Sequence, residues 1–195
     1  MIAVLCEERS SVDFLKTLIP RMSKNAVVKG QSFDGVGELL KRGASAIGAL
    51  HRIGCSQFIV CADADAARGD LRREEIIQRI FRTCCLDREQ LAKSCALIAV
   101  QEIEAWILAN LSCVSKIITK WRPDDISRSE AISEPKEQLL RMSRKDGHGR
   151  ELYRPPEHNG KIGSVIDYDK VAKSCPSFRP LVELVCRGKG NILPN

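Results

Sequence analysis

The chain has 195 residues, of which 44% are hydrophobic and 29% charged, and its formal net charge is +6. This length fits one domain, or one domain with a modest addition. The composition excludes a disordered chain, and the lack of a long apolar run excludes a membrane-spanning one. The opening apolar stretch is too short for a secretory leader and has no basic residues before it. We therefore expect a cytosolic protein that has no contact with membranes.

The nine cysteines show no spacing typical of a zinc site or a disulfide framework. Four of them, Cys6, Cys61, Cys95 and Cys186, lie within apolar segments. We expect these four to be free thiols that are buried as small hydrophobic side chains.

The first half of the chain alternates between strand and helix patterns. Residues 2–6 form an apolar run typical of a strand buried on both faces. A helix is predicted next, with Ser10 as its cap and its end at Pro20. Residues 26–29 predict a short strand, and residues 35–53 predict a second helix.

The alternation continues to about residue 120. Residues 57–62 are the clearest strand, 68–85 predict a helix, and 95–100 predict a fourth strand. The alternation predicts an α/β core over residues 1–120, with a mostly parallel sheet flanked by helices. Prolines and glycines predict an irregular helical extension over 121–195, which packs on this core and closes with a helix near 180–186.

Three acidic clusters follow predicted strands. They are Glu7 with Glu8, Asp63 with Asp65, and Glu102 with Glu104. The carboxyl ends of parallel strands meet at one edge of a sheet, so we expect these clusters to lie near one another. Clustered carboxylates are typical ligands of Mg²⁺. For Glu8 and Glu104 a second explanation is open, because acidic residues also favour helix starts without any function.

A local excess of basic residues lies in the extension. Lys136, Arg150, Arg154 and Lys161 are candidates for contact with a nucleic-acid backbone, and a solvated surface is the competing explanation. Trp106 follows the third acidic cluster and could stack on a base. Its apolar neighbours favour a core position instead.

Two motifs give the chain a family resemblance. They are Val4-Leu5-Cys6-Glu7, followed by Phe14-Leu15, and Ile59-Val60-Cys61-Ala62-Asp63-Ala64-Asp65. In this order they resemble the Toprim domain, which implies that the core over residues 1–120 has a Toprim-like, Rossmann-like fold. The chain more closely resembles an uncharacterised Toprim-related bacterial family, on the further motifs Glu104-Ala105-Trp106, Pro135-Lys136 and a tyrosine, Tyr153, before a basic loop.

The resemblance implies a site and a reaction. Glu7 would serve acid/base chemistry, and Asp63 and Asp65 would bind Mg²⁺ or Mn²⁺. Ser11 stands where a second acidic residue is common, so Glu102 or Glu104 would have to supply any further metal ligand. Glu8 also departs from the family pattern, in which a glycine is usual. The implied activity is a metal-dependent nuclease that cleaves DNA or RNA.

The resemblance also implies a partner ATPase and a role in defence against phage. The chain has no Walker A motif and is not itself the ATPase. Two alternatives stay open. One is a receiver-like signalling module, although no Ser or Thr follows the fourth strand. The other is a non-catalytic binding subunit. The sequence also leaves open the number of metal ions and the formation of a homo-oligomer.

Overall fold

The protein is an α/β structure built on one parallel sheet. The computed structural model describes residues 1–24, 26–64, 68–144 and 149–193. The strands are β1 (Ile2–Cys6), β2 (Val28–Ser32), β3 (Gln57–Asp63) and β4 (Ser94–Ala99), in the order β2-β1-β3-β4. All neighbouring pairs are parallel. The predicted fold class, a parallel sheet flanked by helices with a helical C-terminal region, is confirmed.

Helices follow every strand and fill the C-terminal region. The first group is α1 (Arg9–Met22), α2 (Gly35–Arg52), α3 (Gly69–Ile76) and α4 (Arg88–Ala92), and a π-helical turn (Ile77–Phe81) continues α3. The second group is α5 (Glu104–Ala109), α6 (Pro135–Met142), α7 (Pro155–Gly163), α8 (Tyr168–Ser174) and α9 (Arg179–Arg187). Single 3₁₀ turns lie at Leu111–Lys116, Ser129–Ala131 and Pro176–Phe178.

Strand β1 and the interiors of β3 and β4 are apolar because the sheet is covered on both faces. Every residue of β1 and of β4 is buried. Alternate side chains point to opposite faces, so Val4 packs with α1 and α5 while Leu5 packs with α2 and α3. Such two-sided burial is typical of parallel sheets.

The C-terminal helices pack on the same face of the sheet as α1. Thr17 donates a hydrogen bond of 2.6 Å from Oγ1 to the carbonyl of Gly160. A Cβ at Gly163 would lie 2.4 Å from the carbonyl oxygen of Phe14, so only glycine fits where α7 crosses α1. The two regions thus share one hydrophobic core. The boundary at residue 120 stays a prediction.

Several local predictions were wrong. Helix α1 continues through Pro20 to Met22, because a proline this near the end of a helix removes only one of its last hydrogen bonds. Ser10 lies inside α1 and its hydroxyl contacts Glu8 instead of capping the helix. Cys186, near the end of α9, is exposed, whereas the other three cysteines expected in the core are buried.

The remaining differences concern the ends of elements. The strand expected at 26–29 is Val28–Ser32, and the helix expected at 68–85 ends as a π-helical turn at Phe81. In the ranges that the structure describes, no helix is both long and apolar enough to cross a bilayer.

Candidate metal centre at the carboxyl edge of the sheet

Glu7 and Asp63 lie side by side at the carboxyl edge of the sheet. Glu7 directly follows β1, Asp63 is the last residue of β3, and these strands are neighbours. Oε1 of Glu7 accepts a hydrogen bond of 2.9 Å from the backbone N–H of Asp63. Both residues are partly exposed. The parallel pairing therefore brings the ends of two buried strands together and presents both residues to solvent.

The turn after β1 is fixed by the turn after β2. The backbone N–H of Phe33 donates to the carbonyl of Cys6 at 3.0 Å, and that of Gly35 donates to the carbonyl of Glu7 at 3.4 Å. Gly35 has a φ of +84°, which a residue with a side chain rarely adopts. These bonds hold the backbone of Glu7 in place beneath its carboxylate.

Asp65 was predicted to share this site, and it lies outside the described residues. Among the residues that the structure does describe, no group of three or more His, Cys, Asp or Glu side chains is placed to hold a metal ion. Glu7 and Asp63 supply carboxylate oxygens only. Such a donor set fits Mg²⁺ or Mn²⁺ better than metals that favour sulfur or imidazole ligands.

The third acidic cluster is held by internal contacts. Gln101 adopts a left-handed conformation, with φ of 63°, in the turn between β4 and α5. The next residue, Glu102, accepts a hydrogen bond of 2.9 Å at Oε2 from the backbone N–H of Lys136, in the first turn of α6. The Nζ atom of Lys136 lies 3.4 Å from both carboxylate oxygens of Glu8. Lys136 therefore connects the turn after β1 to the turn after β4.

Glu104 is buried and joins α5 to α7. Glu104 is only 4% exposed. Oε1 lies 3.2 Å from the hydroxyl of Tyr153 and accepts a bond of 3.2 Å from Nδ2 of Asn159. The Tyr153 hydroxyl also lies 2.5 Å from Oδ1 of Asn159. All three side chains are buried, so this network is a fixed internal contact.

Burial shifts the pKa values of the third acidic cluster, Glu102 with Glu104, and of its neighbours. Burial raises the pKa of Glu104 and of Glu102 above the ordinary value of a glutamate. Burial, with the nearby Glu104 carboxylate, also raises the pKa of Tyr153. For Lys136, burial opposes the charged form, but the carboxylates of Glu8, Glu104 and Glu102 outweigh it and raise the pKa. Lys136 therefore carries its positive charge across the physiological range.

The four basic residues predicted to contact nucleic acid differ in their surroundings. Lys136 is partly buried among carboxylates, with its side chain 29% exposed. Arg154 forms an ion pair of 2.5 Å with Glu157 at the start of α7. Arg150 and Lys161 are exposed. Of these four, only Arg150 and Lys161 are exposed and form no ion pair with another described residue.

Trp106 is a core residue, as its apolar neighbours predict. It is fully buried, its ring lies 5.2 Å from that of Phe178, and its Nε1 donates a bond of 2.8 Å to Oγ of Ser177. It is therefore not accessible to a base.

Sequence reasoning did not identify the contacts of Glu104. Tyr153 and Asn159 lie 49 and 55 positions from Glu104, and no pattern links residues so far apart. The position of Lys136 was also missed, because a lysine at the start of a helix looks like a surface residue. A helix start beside Pro135 was the one available signal that this lysine is fixed in place.

Comparison with known proteins gives a family. No curated protein and no solved structure matches the chain. A family model described as a domain of unknown function, DUF4276, matches residues 6–185. This range contains all three acidic clusters, Lys136, and the residues that contact Glu104. Since the match spans most of the sequence, the chain belongs to the DUF4276 family.

Proposed function

We propose that the protein is a Mg²⁺- or Mn²⁺-dependent phosphodiesterase that cleaves nucleic acid. Glu7, Asp63 and Asp65 are the residues that would hold the ion and prepare the water. The bound ion would polarise the scissile phosphate and stabilise the leaving oxygen. The resemblance of two motifs to the Toprim domain supports this proposal, since that pattern pairs a strand-end Glu with an Asp-x-Asp.

The contact between Glu7 and Asp63 is the observation that carries the proposal. Its length is 2.9 Å, from Oε1 of Glu7 to the backbone nitrogen of Asp63. The two residues are 56 positions apart in sequence, and each ends a buried strand. Ligand sites in open α/β sheets form at such strand ends.

Glu7 is suited to orient the attacking water. Oε1 is held by the Asp63 backbone, and the backbone of Glu7 is held by Gly35. A carboxylate fixed in this way can accept a proton from water without first reorganising. Asp63 and Asp65 then serve as oxygen ligands, with the role of Asp65 inferred from sequence alone.

Charge as well as resemblance supports a nucleic-acid substrate. Arg150 precedes α7 and Lys161 lies within it; both are exposed, and α7 packs on α1, the helix that follows Glu7. Such cations neutralise backbone phosphates. A partner ATPase and a role in phage defence remain proposals that come from the resemblance alone.

A cleavage assay with the purified chain tests this function. Supercoiled plasmid, single-stranded DNA and RNA would each be incubated with Mg²⁺, with Mn²⁺ and with EDTA. We expect cleavage of at least one substrate in the presence of either ion and none with EDTA. Glu7→Gln should lower the rate by about a hundredfold or more, because it removes the base that accepts the proton.

The control is Glu89→Gln. Glu89 is an exposed residue of α4 that pairs with Lys93. Helix α4 directly precedes β4, so Glu89 lies near the amino ends of the strands and away from Glu7 and Asp63. This variant should retain the full rate. Lack of metal-dependent cleavage of all three substrates, or an unchanged rate in Glu7→Gln, would contradict the proposal.

A further inference from the structure

Lys136 lies in an unusual place for a cation. Its ammonium group lies 3.4 Å from Glu8, and its backbone N–H donates to Glu102. The buried Glu104 carboxylate also acts on its charge. The charges of three carboxyl groups thus act on one ammonium group at the carboxyl edge of the sheet.

The backbone of Lys136 is fixed as well as its charge. Its N–H donates to Oε2 of Glu102 at 2.9 Å, within the first turn of α6. Pro135 starts this helix and is buried, which anchors the turn. A lysine held at both ends loses less side-chain freedom when it binds an anion than a lysine on an open surface does.

The acids around Lys136 are already engaged. Glu102 accepts from the Lys136 backbone, and Glu104 accepts from Asn159. Glu8 pairs with the ammonium group itself. A divalent ion at this position would displace these contacts and would lie against a fixed positive charge, which repels it.

We propose that the centre holds a single divalent ion, at the edge formed by Glu7 and Asp63, and that the ammonium group of Lys136 supplies the second positive charge for the phosphate. The inference rests on the proposed function and deepens it. Glu102 and Glu104 are then not metal ligands, in contrast to the sequence-based expectation. Glu102 instead holds the backbone of Lys136, and Glu104 joins α5 to α7 through Asn159.

The phosphate would gain a hydrogen-bonded contact from this arrangement. A lysine ammonium is a compact charge with three donors, and it reaches a phosphate oxygen without dictating its geometry. The contact with Glu8, whose side chain is 50% exposed, is the weakest that Lys136 makes. A substrate phosphate could replace Glu8 while the Glu102 bond to the backbone remains.

The number of bound ions tests the inference without any reliance on activity. Mn²⁺ binding would be measured by isothermal titration and by electron paramagnetic resonance on the whole chain. We expect one ion per wild-type chain. In Lys136→Gln the loss of the ammonium charge frees Glu8, and Glu8 with the partly exposed Glu102 should bind a second, weaker ion. Lys136→Arg, which keeps the charge, should bind one.

Lys93→Gln is the matched control. Lys93 directly precedes β4 and pairs with the exposed Glu89, far from the carboxyl ends of the strands. The Lys93→Gln substitution removes the same charge as Lys136→Gln and should leave the number of bound ions at one. The wild-type count is itself a test, so the inference can fail even where Lys136→Gln does not fold.

Two ions in the wild-type chain, or a count of one in folded Lys136→Gln, would overturn the inference and leave the proposed function standing. No ion in the wild-type chain would overturn the proposed function and the inference with it.

Discussion

The two acidic groups at the carboxyl edge look alike in sequence and differ in the fold. Glu7 and Asp63 are partly exposed, and their contact joins two strand ends that face solvent. Glu102 and Glu104 are held by Lys136, Tyr153 and Asn159, and Glu104 is buried. The contrast is sharpest for Glu104, which is buried together with its partners, whereas Glu102 is partly exposed like Glu7 and Asp63.

The difference arises from the C-terminal region. Both α6 and α7 come from beyond residue 120, and their residues donate hydrogen bonds to Glu102 and Glu104. These helices therefore hold the side chains of the third acidic cluster in place. The following predictions separate the two groups.

The largest effect should come from Asp63. Asp63→Asn removes a charged oxygen ligand, which should lower the rate of metal-dependent cleavage about a thousandfold, equivalent to several kcal/mol. Glu102→Gln keeps an oxygen that accepts from the Lys136 backbone, and it should lower the rate less than about tenfold. Single-turnover cleavage of the best substrate measures both. Similar losses in the two variants would contradict the distinction.

A large effect on stability should come from Glu104. Glu104→Ala removes the acceptor of the Asn159 side-chain N–H and one of the two partners of the Tyr153 hydroxyl, all within the core. We expect it to lower the free energy of unfolding by about 2–4 kcal/mol. Glu8→Ala, which affects an exposed ion pair, should cost less than about 1 kcal/mol. Urea unfolding measures both losses. Equal losses would show that the Glu104 network stabilises the fold no more than an exposed ion pair does.

The pH dependence of stability should also identify Glu104. Burial raises its pKa in the folded chain above 4.5, so the folded state binds the proton more tightly than the unfolded one. Its contribution is therefore fully present below pH 4.5 and is lost as the pH rises through the folded pKa. The slope is at most about 1.4 kcal/mol per pH unit.

Glu104→Gln has no such titration. The stability of the wild type relative to Glu104→Gln should therefore fall as the pH rises from 4 towards 7 in urea unfolding experiments. A relative stability that is flat, or that rises with pH, would show that the buried carboxyl group is stabilised in its charged form.

The smallest effect should come from the exposed cations. Arg150→Gln combined with Lys161→Gln removes two charges that have no ion pair among the described residues. Binding of single-stranded DNA should weaken several-fold. The slope of log affinity against log salt should fall by about 1.4, at roughly 0.7 per phosphate contact. An unchanged slope would place the nucleic acid elsewhere on the surface.

The strands could be predicted from sequence because a strand that is buried on both faces is a continuous run of apolar residues. Predicted and observed ends of β1, β3 and β4 agree within about one residue, since each is an apolar run with polar residues after it. The edge strand β2 is more exposed and polar, and its prediction was displaced by two or three residues. Exposure weakens the hydrophobic pattern on which such predictions depend.

The candidate site could be predicted only in part. The edge of the sheet follows from parallel pairing, which brings Glu7 and Asp63 together. The separate role of Glu104 depends on Tyr153 and Asn159, whose approach is set by the packing of α7 on α1. Tertiary packing of this kind has no local pattern in the sequence, so the sequence did not distinguish the two acidic groups.

The most direct test of the account is metal affinity in two double variants. Mn²⁺ titration would compare Glu7→Gln/Asp63→Asn with Glu102→Gln/Glu104→Gln, after circular dichroism has shown that both are folded. Each removes two charges from the same edge of the sheet. We expect the first variant to lose measurable Mn²⁺ binding and the second to keep the wild-type Mn²⁺ affinity within about threefold. Retained binding in the first variant, or lost binding in the second, would contradict it.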